Sequence, residues 1–292
     1  MHSGGRMGYR YFLQLSYNGG AYGGWQTQPN TTTVQALIES GLTKIAGLKD
    51  HITGCGRTDA GVHASTFYAH FDSDDALSED ALRQFVLKLN RFLPDDIAIT
   101  GIQPVMPGAH ARYSALWREY EYLIIREKDP FMFNQAYFVH GNLDIEMMNK
   151  CASLVTGRHN FQCFSKVHTQ VNNFFCDIQF AGWEENVHFL KFTIRGNRFL
   201  RNMVRAIVGT MLNAGRGKIS DIDFQYIIDS QNRSEAGLSV PAKGLTLTQI
   251  RYPDEIFSNE PVFFSPESCN KIISHNYSDS KLHEGSGNET NE

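Results

Sequence analysis

Residues 54–64 read GCGRTDAGVHA, in which Arg57, Asp59 and His63 stand among three glycines. Such a segment can form a phosphate-binding loop, a tight turn, or a loop that presents one reactive carboxylate. The first interpretation fails because the third glycine of a dinucleotide-binding loop and the Gly-Lys-Ser/Thr of a P-loop are both missing. A tight turn accounts for the glycines but does not require a cation two residues before Asp59. The pattern therefore favours a carboxylate loop, with Arg57 placed to order it or to contact a phosphate.

The sequence on both sides of this loop alternates between strand and helix patterns. The predicted strands are 11–17, 65–71, 97–105, 111–126, 174–183, 187–196 and 245–252. The predicted helices are 34–46 behind the cap Thr33, a helix behind the cap Ser78, 144–156, 199–214 and 221–230.

This order of elements lacks a strict βαβ rhythm and therefore predicts an α+β fold with mainly antiparallel sheets flanked by helices. Each part of the chain offers strands and two helices, so we expect two similar halves. The predicted domains are an N-terminal half at 1–105 with the carboxylate loop, a C-terminal half at 106–253 with a basic helix, and an acidic tail at 254–292. We expect this tail to be disordered beyond about residue 265.

The composition is that of a soluble globular protein, with 41% hydrophobic and 20% charged residues. No stretch approaches the ~20 consecutive apolar residues of a membrane span, and the first ten residues contain no apolar signal core. The five cysteines show no C-x-x-C pair and no metal-ligand spacing with histidine. We therefore expect free thiols in a cytoplasmic protein, no membrane association and no bound metal.

The charge of the chain is unevenly distributed. The net charge is −4, but residues 254–292 hold eight acidic residues and two lysines, so residues 1–253 carry +2. Residues 186–220 contain no acidic residue at all. They carry the cations Lys191, Arg195, Arg198, Arg201, Arg205, Arg216 and Lys218. A local run of this kind predicts a surface that binds a polyanion such as RNA.

Five blocks of the chain, in order, resemble the tRNA pseudouridine synthase A family. The carboxylate loop carries that family's active-site signature, GRTDAGVHA at 56–64. The early loop YNGGAYGGWQTQ at 17–28 is also similar, although the family usually has Asp where this chain has Asn18. The remaining blocks are HARYSALWREYEYLI at 110–124, GNRFLRNMVRAIVGTML at 196–212 and PAKGLTLTQIRYP at 241–253. The resemblance covers roughly residues 8–253 and leaves out the acidic tail.

This resemblance implies the pseudouridine synthase fold, with the active-site cleft between the two halves. It implies isomerisation of uridine to pseudouridine in the anticodon stem-loop of tRNAs, at about positions 38, 39 and 40. The reaction involves no redox change, so we expect no cofactor. The resemblance also implies a homodimer in which one tRNA lies across both subunits. The alternatives are a non-catalytic RNA-binding protein, a nucleotide-binding enzyme, and a related synthase with another RNA target.

The resemblance also assigns roles to residues of the site. Asp59 is the catalytic residue, which either attacks C1′ of the sugar or removes a sugar proton. Tyr120 matches the tyrosine that packs on the target base, but Tyr122 faces the same side of the strand, so spacing alone does not separate the two. Arg205 either pairs with the aspartate or contacts a phosphate. Leu245 either packs on the base or belongs to the core.

Further residues are expected to contact RNA. Arg57 fills the space of the extruded nucleotide or holds a flanking phosphate. Trp25 and Tyr22 stack on RNA, pack in the core or contact a second subunit. His63 is expected to be a packed, hydrogen-bonded histidine. The predicted phosphate contacts are Arg195, Arg198, Arg201, Arg216 and Lys218, with Arg112 and Arg118. In the predicted helix 199–214 and the residue before it, Arg198, Arg201 and Arg205 would share one face.

Overall fold

The structure, a computed structural model, describes residues 8–48, 51–166 and 173–258. The predictions for the tail beyond residue 265 and for the thiol of Cys269 lie outside these residues. The strands are β1 (Tyr9–Tyr17), β2 (Thr53–Gly54), β3 (His63–Ser73), β4 (Ile97–Val105), β5 (Trp117–Ile125), β6 (Tyr137–Phe138), β7 (Gly157–Asn160), β8 (Phe175–Glu185), β9 (Leu190–Gly196) and β10 (Leu245–Arg251). The α-helices are α1 (Val34–Ala46), α2 (Glu79–Phe92), α3 (Ile145–Leu154), α4 (Met203–Gly215) and α5 (Asp221–Ser230).

The strands of the described residues form one sheet in the order β4-β1-β3-β10-β5-β9-β8-β7, with β2 paired to β3 and β6 to β5. Neighbouring strands run antiparallel, except that β10 is parallel to β3 and β6 is parallel to β5. The last strand, β10, therefore lies at the centre, between β3 of the first half and β5 of the second. The predicted α+β class with a mainly antiparallel sheet is confirmed, and the sheets of the two halves are continuous. The domain boundaries at 105 and 253 stay predictions.

The register at the centre of the sheet brings the carboxylate loop close to β5. Leu247 on β10 lies opposite Ala64 on β3 and opposite Tyr120 on β5. Neighbouring strands lie about 4.8 Å apart, so the end of the loop and Tyr120 are about 10 Å apart across the sheet.

Two clusters of buried side chains form the core, and the centre of the sheet connects them. One cluster packs α1 and α2 on β1, β3 and β4, and the other packs α3, α4 and α5 on β5, β8 and β9. Val62 belongs to the second cluster, whereas Ala64 belongs to the first. On β10, Leu245 belongs to the second cluster and Leu247 to the first. The carboxylate loop and β10 are thus anchored in both cores, which fixes the loop between the two halves.

Side-chain caps begin most of the helices where the sequence predicts. In each case the cap oxygen accepts a hydrogen bond from the backbone N–H three residues further on. The caps are Thr33, Ser78, Asp144 and Ser220. The predicted bounds of α1 and α5 agree with the structure.

The predicted helix 199–214 is wrong at its start, because α4 begins only at Met203. Asn202 adopts a left-handed backbone conformation with φ of 67°, which breaks the helix before that point. Arg198 and Arg201 therefore precede the helix and do not share a helical face with Arg205. Eleven of the 13 residues of α4 are buried, and Arg205 is one of the two that are not.

The long strand predicted at 111–126 is also shorter than expected, since β5 begins at Trp117. The residues before it form a loop around His110, whose Nδ1 accepts hydrogen bonds from the backbone N–H groups of Arg112 and Tyr113. The backbone N–H of Ser114 donates to the carbonyl of His110. These local bonds replace the sheet pairing that the alternating pattern suggested.

The segment just after β10 packs on the body of the protein, although the sequence assigned it to the tail. Asp254–Ile256 forms a short 3-10 helix, and the Phe257 ring meets Phe12 edge-on with the ring centroids 6.1 Å apart. No helix within 8–48, 51–166 and 173–258 is long and apolar enough to cross a membrane.

Candidate active site

The carboxylate loop ends in a turn that holds Asp59 in place. The backbone N–H of Val62 donates to the Asp59 carbonyl at 3.1 Å, and Gly61 has φ of 79°, which a type II turn requires at its third residue. Just before the turn, Tyr17 Oη and Thr58 Oγ1 share a hydrogen bond of 2.8 Å. The Asp59 side chain is 25% exposed, so a ligand can reach its carboxylate.

The glycine-rich early loop supports the backbone of the carboxylate loop. Gly24 has φ of 98°, and a Cβ there would stand 2.5 Å from the carbonyl oxygen of Thr58. The backbone N–H of Trp25 donates to that same carbonyl at 3.3 Å. A side chain at Gly54 would collide with the Trp25 indole. The glycines of both motifs therefore allow two loops to lie in direct contact.

Trp25 and Tyr22 are core residues in this structure. Trp25 is 1% exposed, and its ring centroid lies 4.1 Å from that of Phe67. Tyr22 is buried, and its hydroxyl donates to the carboxylate of Asp96. Of the alternatives left open by the sequence, the contacts favour core packing.

Two arginines face the two oxygens of the Asp59 carboxylate. Arg201 Nε lies 3.5 Å from Oδ1, and Arg205 Nη1 lies 3.6 Å from Oδ2. The Arg205 side chain is 21% exposed, and its Nε donates to the Val240 carbonyl at 2.7 Å. Arg201 is 59% exposed, and its guanidinium has no other partner among the described residues. Arg205 is thus fixed beside Asp59, whereas Arg201 is free to exchange its partner.

The structure separates Tyr120 from Tyr122, which sequence spacing could not do. Tyr122 is fully buried, and its hydroxyl donates to the Pro241 carbonyl at 2.8 Å. Tyr120 is partly exposed, packs edge-on against Phe199, and makes no hydrogen bond through its hydroxyl among the described residues. Burial raises the pKa of Tyr120 above its usual range, and the charge of Asp59 contributes to the increase. Tyr120 is therefore a neutral phenol near neutral pH, and its contact with a substrate base stays a prediction.

The buried residues His63 and Leu245 support the carboxylate loop through hydrogen bonds and core packing. The backbone N–H of Gly19 donates to His63 Nδ1 at 3.0 Å, so the Nε2–H donates to the Lys243 carbonyl at 3.0 Å. Burial lowers the pKa of His63, which keeps the ring neutral in this role. Leu245 is 6% exposed and lies opposite Tyr122 in the sheet. His63 is thus the hydrogen-bonded histidine that the sequence predicts, and Leu245 packs in the core.

Two of the arginines predicted to contact RNA are held by other parts of the protein. Arg195 donates to Glu119 through Nε at 2.9 Å and Nη2 at 2.6 Å, and its guanidinium lies 4.5 Å from the centre of the Trp117 ring. Arg118 donates to the carbonyls of Cys55, Asn197 and Arg112. Nothing in the sequence alone indicates these pairings, because the partners lie up to 79 residues away. Their contact with RNA stays a prediction.

The other predicted cations lie at different distances from Asp59. Arg198 is half-buried, and Arg216 and Lys218 are exposed just beyond the C-terminus of α4. The rise of an α-helix places Arg216 about 16 Å along the axis from Arg205. Arg216 and Lys218 can therefore contact only a part of a ligand remote from the carboxylate.

Arg57 is exposed and lines a cavity of about 350 Å³ beside the carboxylate loop. Asp59 is not among the residues that line this cavity.

Other reactive groups near the loop do not compete with Asp59. Burial raises the pKa of the Cys55 thiol to about 12, so this group is protonated and inert near neutral pH. Within the described ranges no group of three or more His, Cys, Asp or Glu side chains could hold a metal ion.

The structure thus places the accessible Asp59 at the centre of a mainly antiparallel sheet, with two arginines beside its carboxylate. The resemblance implies a site of this kind for a pseudouridine synthase. A family profile described as tRNA pseudouridine synthase matches residues 151–253. By its similarity to the relatives that follow, the chain belongs to the tRNA pseudouridine synthase A family, which confirms the resemblance and the enzyme class indicated by the sequence.

Relatives named tRNA pseudouridine synthase A match almost end to end. The protein of Parabacteroides distasonis is 46% identical over 251 residues, which is 86% of this chain and 99% of the relative. The protein of Bacteroides thetaiotaomicron is 44% identical and covers 86% and 93% of the two chains. The protein of Bacillus subtilis is 36% identical and covers 82% and 97%. A solved structure described as a Cbf5-Nop10-Gar1 complex aligns with a TM-score of 0.36 and 13% identity over 84% of this chain and 49% of that chain, too little to argue from.

Proposed function

We propose that this protein isomerises uridine to pseudouridine in the anticodon stem-loop of tRNAs, at about positions 38, 39 and 40, with Asp59 as the catalytic residue. The observation that carries the proposal is the Asp59 carboxylate, which is accessible and lies between the guanidinium groups of Arg201 and Arg205. The names of the relatives support the tRNA substrate.

The proposed reaction needs one carboxylate and no cofactor. The N1–C1′ bond of uridine breaks, the base turns, C5 bonds to C1′, and the proton on C5 is lost while N1 gains a proton. Asp59 either attacks C1′ and is later displaced, or removes a sugar proton to give a glycal. Both routes require an ionised carboxylate in a fixed position, which the two arginines stabilise.

The neighbouring residues divide the remaining work. Tyr120 packs on the turning base, and its neutral hydroxyl lies on the side of Asp59. Arg205 holds the carboxylate in position, and Leu245 packs in the core beneath it. The target uridine must leave its stack before C1′ becomes accessible, and the exposed Arg57 holds a phosphate that flanks it.

The tRNA backbone is held by basic side chains around the site. Arg198 and Arg201 lie before α4 close to the carboxylate, and Arg216 and Lys218 lie beyond its far end. Such phosphate contacts fix the position of a stem-loop without reading its bases. Arg195 adds charge to the same region, although its guanidinium also binds Glu119. A surface of this kind suits an enzyme that accepts neighbouring uridines.

We infer that the protein acts in the cytoplasm as a homodimer, with one tRNA contacting both subunits. Large apolar side chains on the turn before β6 support a second copy: Phe131 is 89% exposed and Phe133 is 59% exposed. Light scattering at micromolar concentration should give twice the mass of the 33.0 kDa chain. A monomer at this concentration would contradict the homodimer.

The proposed activity is tested with anticodon stem-loops labelled with tritium at uridine C5. Three RNAs each carry a single uridine, at position 38, 39 or 40. A fourth carries uridine only in the stem, outside positions 38–40. We expect tritium release from the first three and none from the fourth. Binding of all four RNAs without release would instead favour a non-catalytic RNA-binding protein. Release from the fourth RNA alone would indicate a synthase with another target.

A further inference from the structure

We propose that the cavity beside the carboxylate loop is a second nucleotide-binding pocket, which takes the nucleotide next to the target uridine. The proposal rests on the proposed function, because it assumes that an RNA strand reaches Asp59. The cavity has a volume of about 350 Å³, which lies within the range of small-molecule pockets. Its walls come from the early loop, the start of α1, residues 51–53, the start of the carboxylate loop and the loop before β5.

The charge of the cavity suits a phosphate-bearing ligand. Arg57 and Arg112 both line it and are exposed. Neither guanidinium has a hydrogen bond or an ion pair among the described residues, in contrast to Arg118 and Arg195. None of the lining residues is acidic. Two uncompensated cations at the rim of a polar cavity would hold a phosphate from two sides.

The interior of the cavity suits a base. Trp25 and Ile52, both almost fully buried, contribute apolar residues to its lining. Gln26 Nε2 donates to Gln35 Oε1 at 2.9 Å, which leaves Gln26 Oε1 as an acceptor for a base N–H. Outside the cavity, the Arg112 guanidinium lies 5.6 Å from the ring centre of Tyr113, which is 75% exposed. Proteins that read single-stranded RNA hold splayed bases by the same combination of polar edges and planar surfaces.

The position of the cavity restricts which nucleotide can fill it. Arg57 is two residues from Asp59, so the two Cα atoms lie at most about 7 Å apart. A strand with its target uridine at Asp59 therefore brings an adjacent nucleotide to the rim of the cavity. The occupant is a neighbour in the same RNA rather than a separate small molecule.

Gly56 allows the pocket to be filled without altering the fold. It lines the cavity, it is absent from the glycines with positive φ, and a Cβ added there would meet no atom within 4 Å. The substitution Gly56→Leu should therefore fill the cavity and leave the melting temperature unchanged. Gly56→Ala adds only one methyl group and is the matched control.

The test measures the affinity of wild type and both variants for stem-loops that lack the base on the 5′ or the 3′ side of the target uridine. In the wild type we expect the loss of one of these bases to weaken binding about tenfold. Gly56→Leu should weaken binding of the intact RNA by a similar factor and show no further loss with the abasic RNA. Gly56→Ala should weaken binding less than Gly56→Leu, because its single added Cβ meets no atom within 4 Å.

Three results would overturn the pocket. In the first, the affinity losses caused by Gly56→Leu and by the missing base would multiply. In the second, neither abasic RNA would bind the wild type more weakly than the intact RNA. In the third, uridine monophosphate at millimolar concentration would fill the cavity and be excluded by Gly56→Leu, while the abasic RNAs bound normally. Because affinity is measured without turnover, absence of tritium release would contradict the proposed function and leave this test of the pocket intact.

Discussion

The guanidinium of Arg205 bridges the Asp59 carboxylate and the carbonyl of Val240, with Nη1 3.6 Å from Asp59 Oδ2 and Nε donating to Val240 at 2.7 Å. The backbone N–H of Val240 donates in turn to the Arg205 carbonyl. The carbonyl of Arg201 also accepts a backbone hydrogen bond, from the N–H of Lys166, but its guanidinium has no second partner among the described residues. The bond to Val240 makes Arg205 a fixed support of the carboxylate, whereas the exposed Arg201 can leave Asp59 for a phosphate.

The two arginines should therefore fail in different ways when they are removed. Arg205→Ala should lower the single-turnover rate about 100-fold, because the carboxylate loses its fixed partner, with little change in RNA affinity. Arg201→Ala should instead weaken RNA binding about three- to tenfold, since one phosphate contact is lost. Filter binding and single-turnover tritium release measure both quantities. If Arg205→Ala weakened binding and kept the chemical rate, Arg205 would be a phosphate contact.

The two tyrosines of β5 should separate stability from catalysis. Tyr122→Phe leaves the partly buried Pro241 carbonyl without this hydrogen bond and should lower the free energy of unfolding by about 1–2 kcal/mol. Tyr120→Phe removes a hydroxyl without a partner in the described residues, so stability should change by less than about 0.5 kcal/mol. Its single-turnover rate should fall at least about tenfold if the hydroxyl assists proton transfer. Urea denaturation measures the stability and tritium release measures the rate. A loss of stability in Tyr120→Phe together with a loss of rate in Tyr122→Phe would contradict the geometry.

Gly24 should be essential for activity because it contacts the carboxylate loop. In Gly24→Ala the new Cβ would stand 2.5 Å from the Thr58 carbonyl oxygen, at a φ of 98°. We expect a loss of about 1–3 kcal/mol in stability and a rate about 100-fold lower, because the loop must shift. Gly47→Ala is the matched control, since Gly47 also has positive φ but an added Cβ meets nothing within 4 Å. It should cost about 1 kcal/mol and keep the wild-type rate.

The stability of the protein should decrease as the pH falls below about 6.5. Burial, followed by the charges of Arg10 and His110, lowers the pKa of His70 to about 4, and its Nδ1 accepts a hydrogen bond from the Ala111 N–H. The unfolded chain therefore binds a proton at a higher pH than the folded chain. The free energy of unfolding should drop by about 1–2 kcal/mol between pH 6.5 and 5.

His70→Gln is the control for this pH dependence. His63 and His110 also have lowered pKa values, so the wild-type slope contains their contributions. The difference between wild type and variant isolates His70, and urea denaturation at four pH values from 5 to 7 measures it. Equal slopes for the two proteins would contradict the role given to His70.

Sequence patterns predicted the elements that depend on local chemistry. The Thr33 and Ser78 caps and the apolar faces behind them fix α1 and α2, because capping and helical periodicity act within a few residues. The hairpin of β8 and β9 and the central strand β10 follow from alternation in the same way. One short motif was enough to single out Asp59, since its glycines and its arginine have no joint purpose in a plain turn, and the catalytic role of Asp59 stays a prediction.

Features that depend on distant partners could not be predicted in this way. The apolar periodicity predicted that the basic helix begins at residue 199. In the structure it begins at Met203, because Asn202 has a left-handed backbone conformation. The contact of Arg201 with Asp59 joins residues 142 positions apart in the chain, and no pattern encodes it. The burial of Trp25 depends equally on Phe67, in a strand that the early loop does not neighbour in sequence.

The account depends most directly on Asp59, and the substitution Asp59→Asn tests it. Asparagine keeps the shape of the side chain and removes the charge that both proposed routes need. We predict that Asp59→Asn binds the anticodon stem-loop within about threefold of the wild-type affinity and releases no tritium from uridine C5 in a single turnover. Release at the wild-type rate by Asp59→Asn would contradict the account.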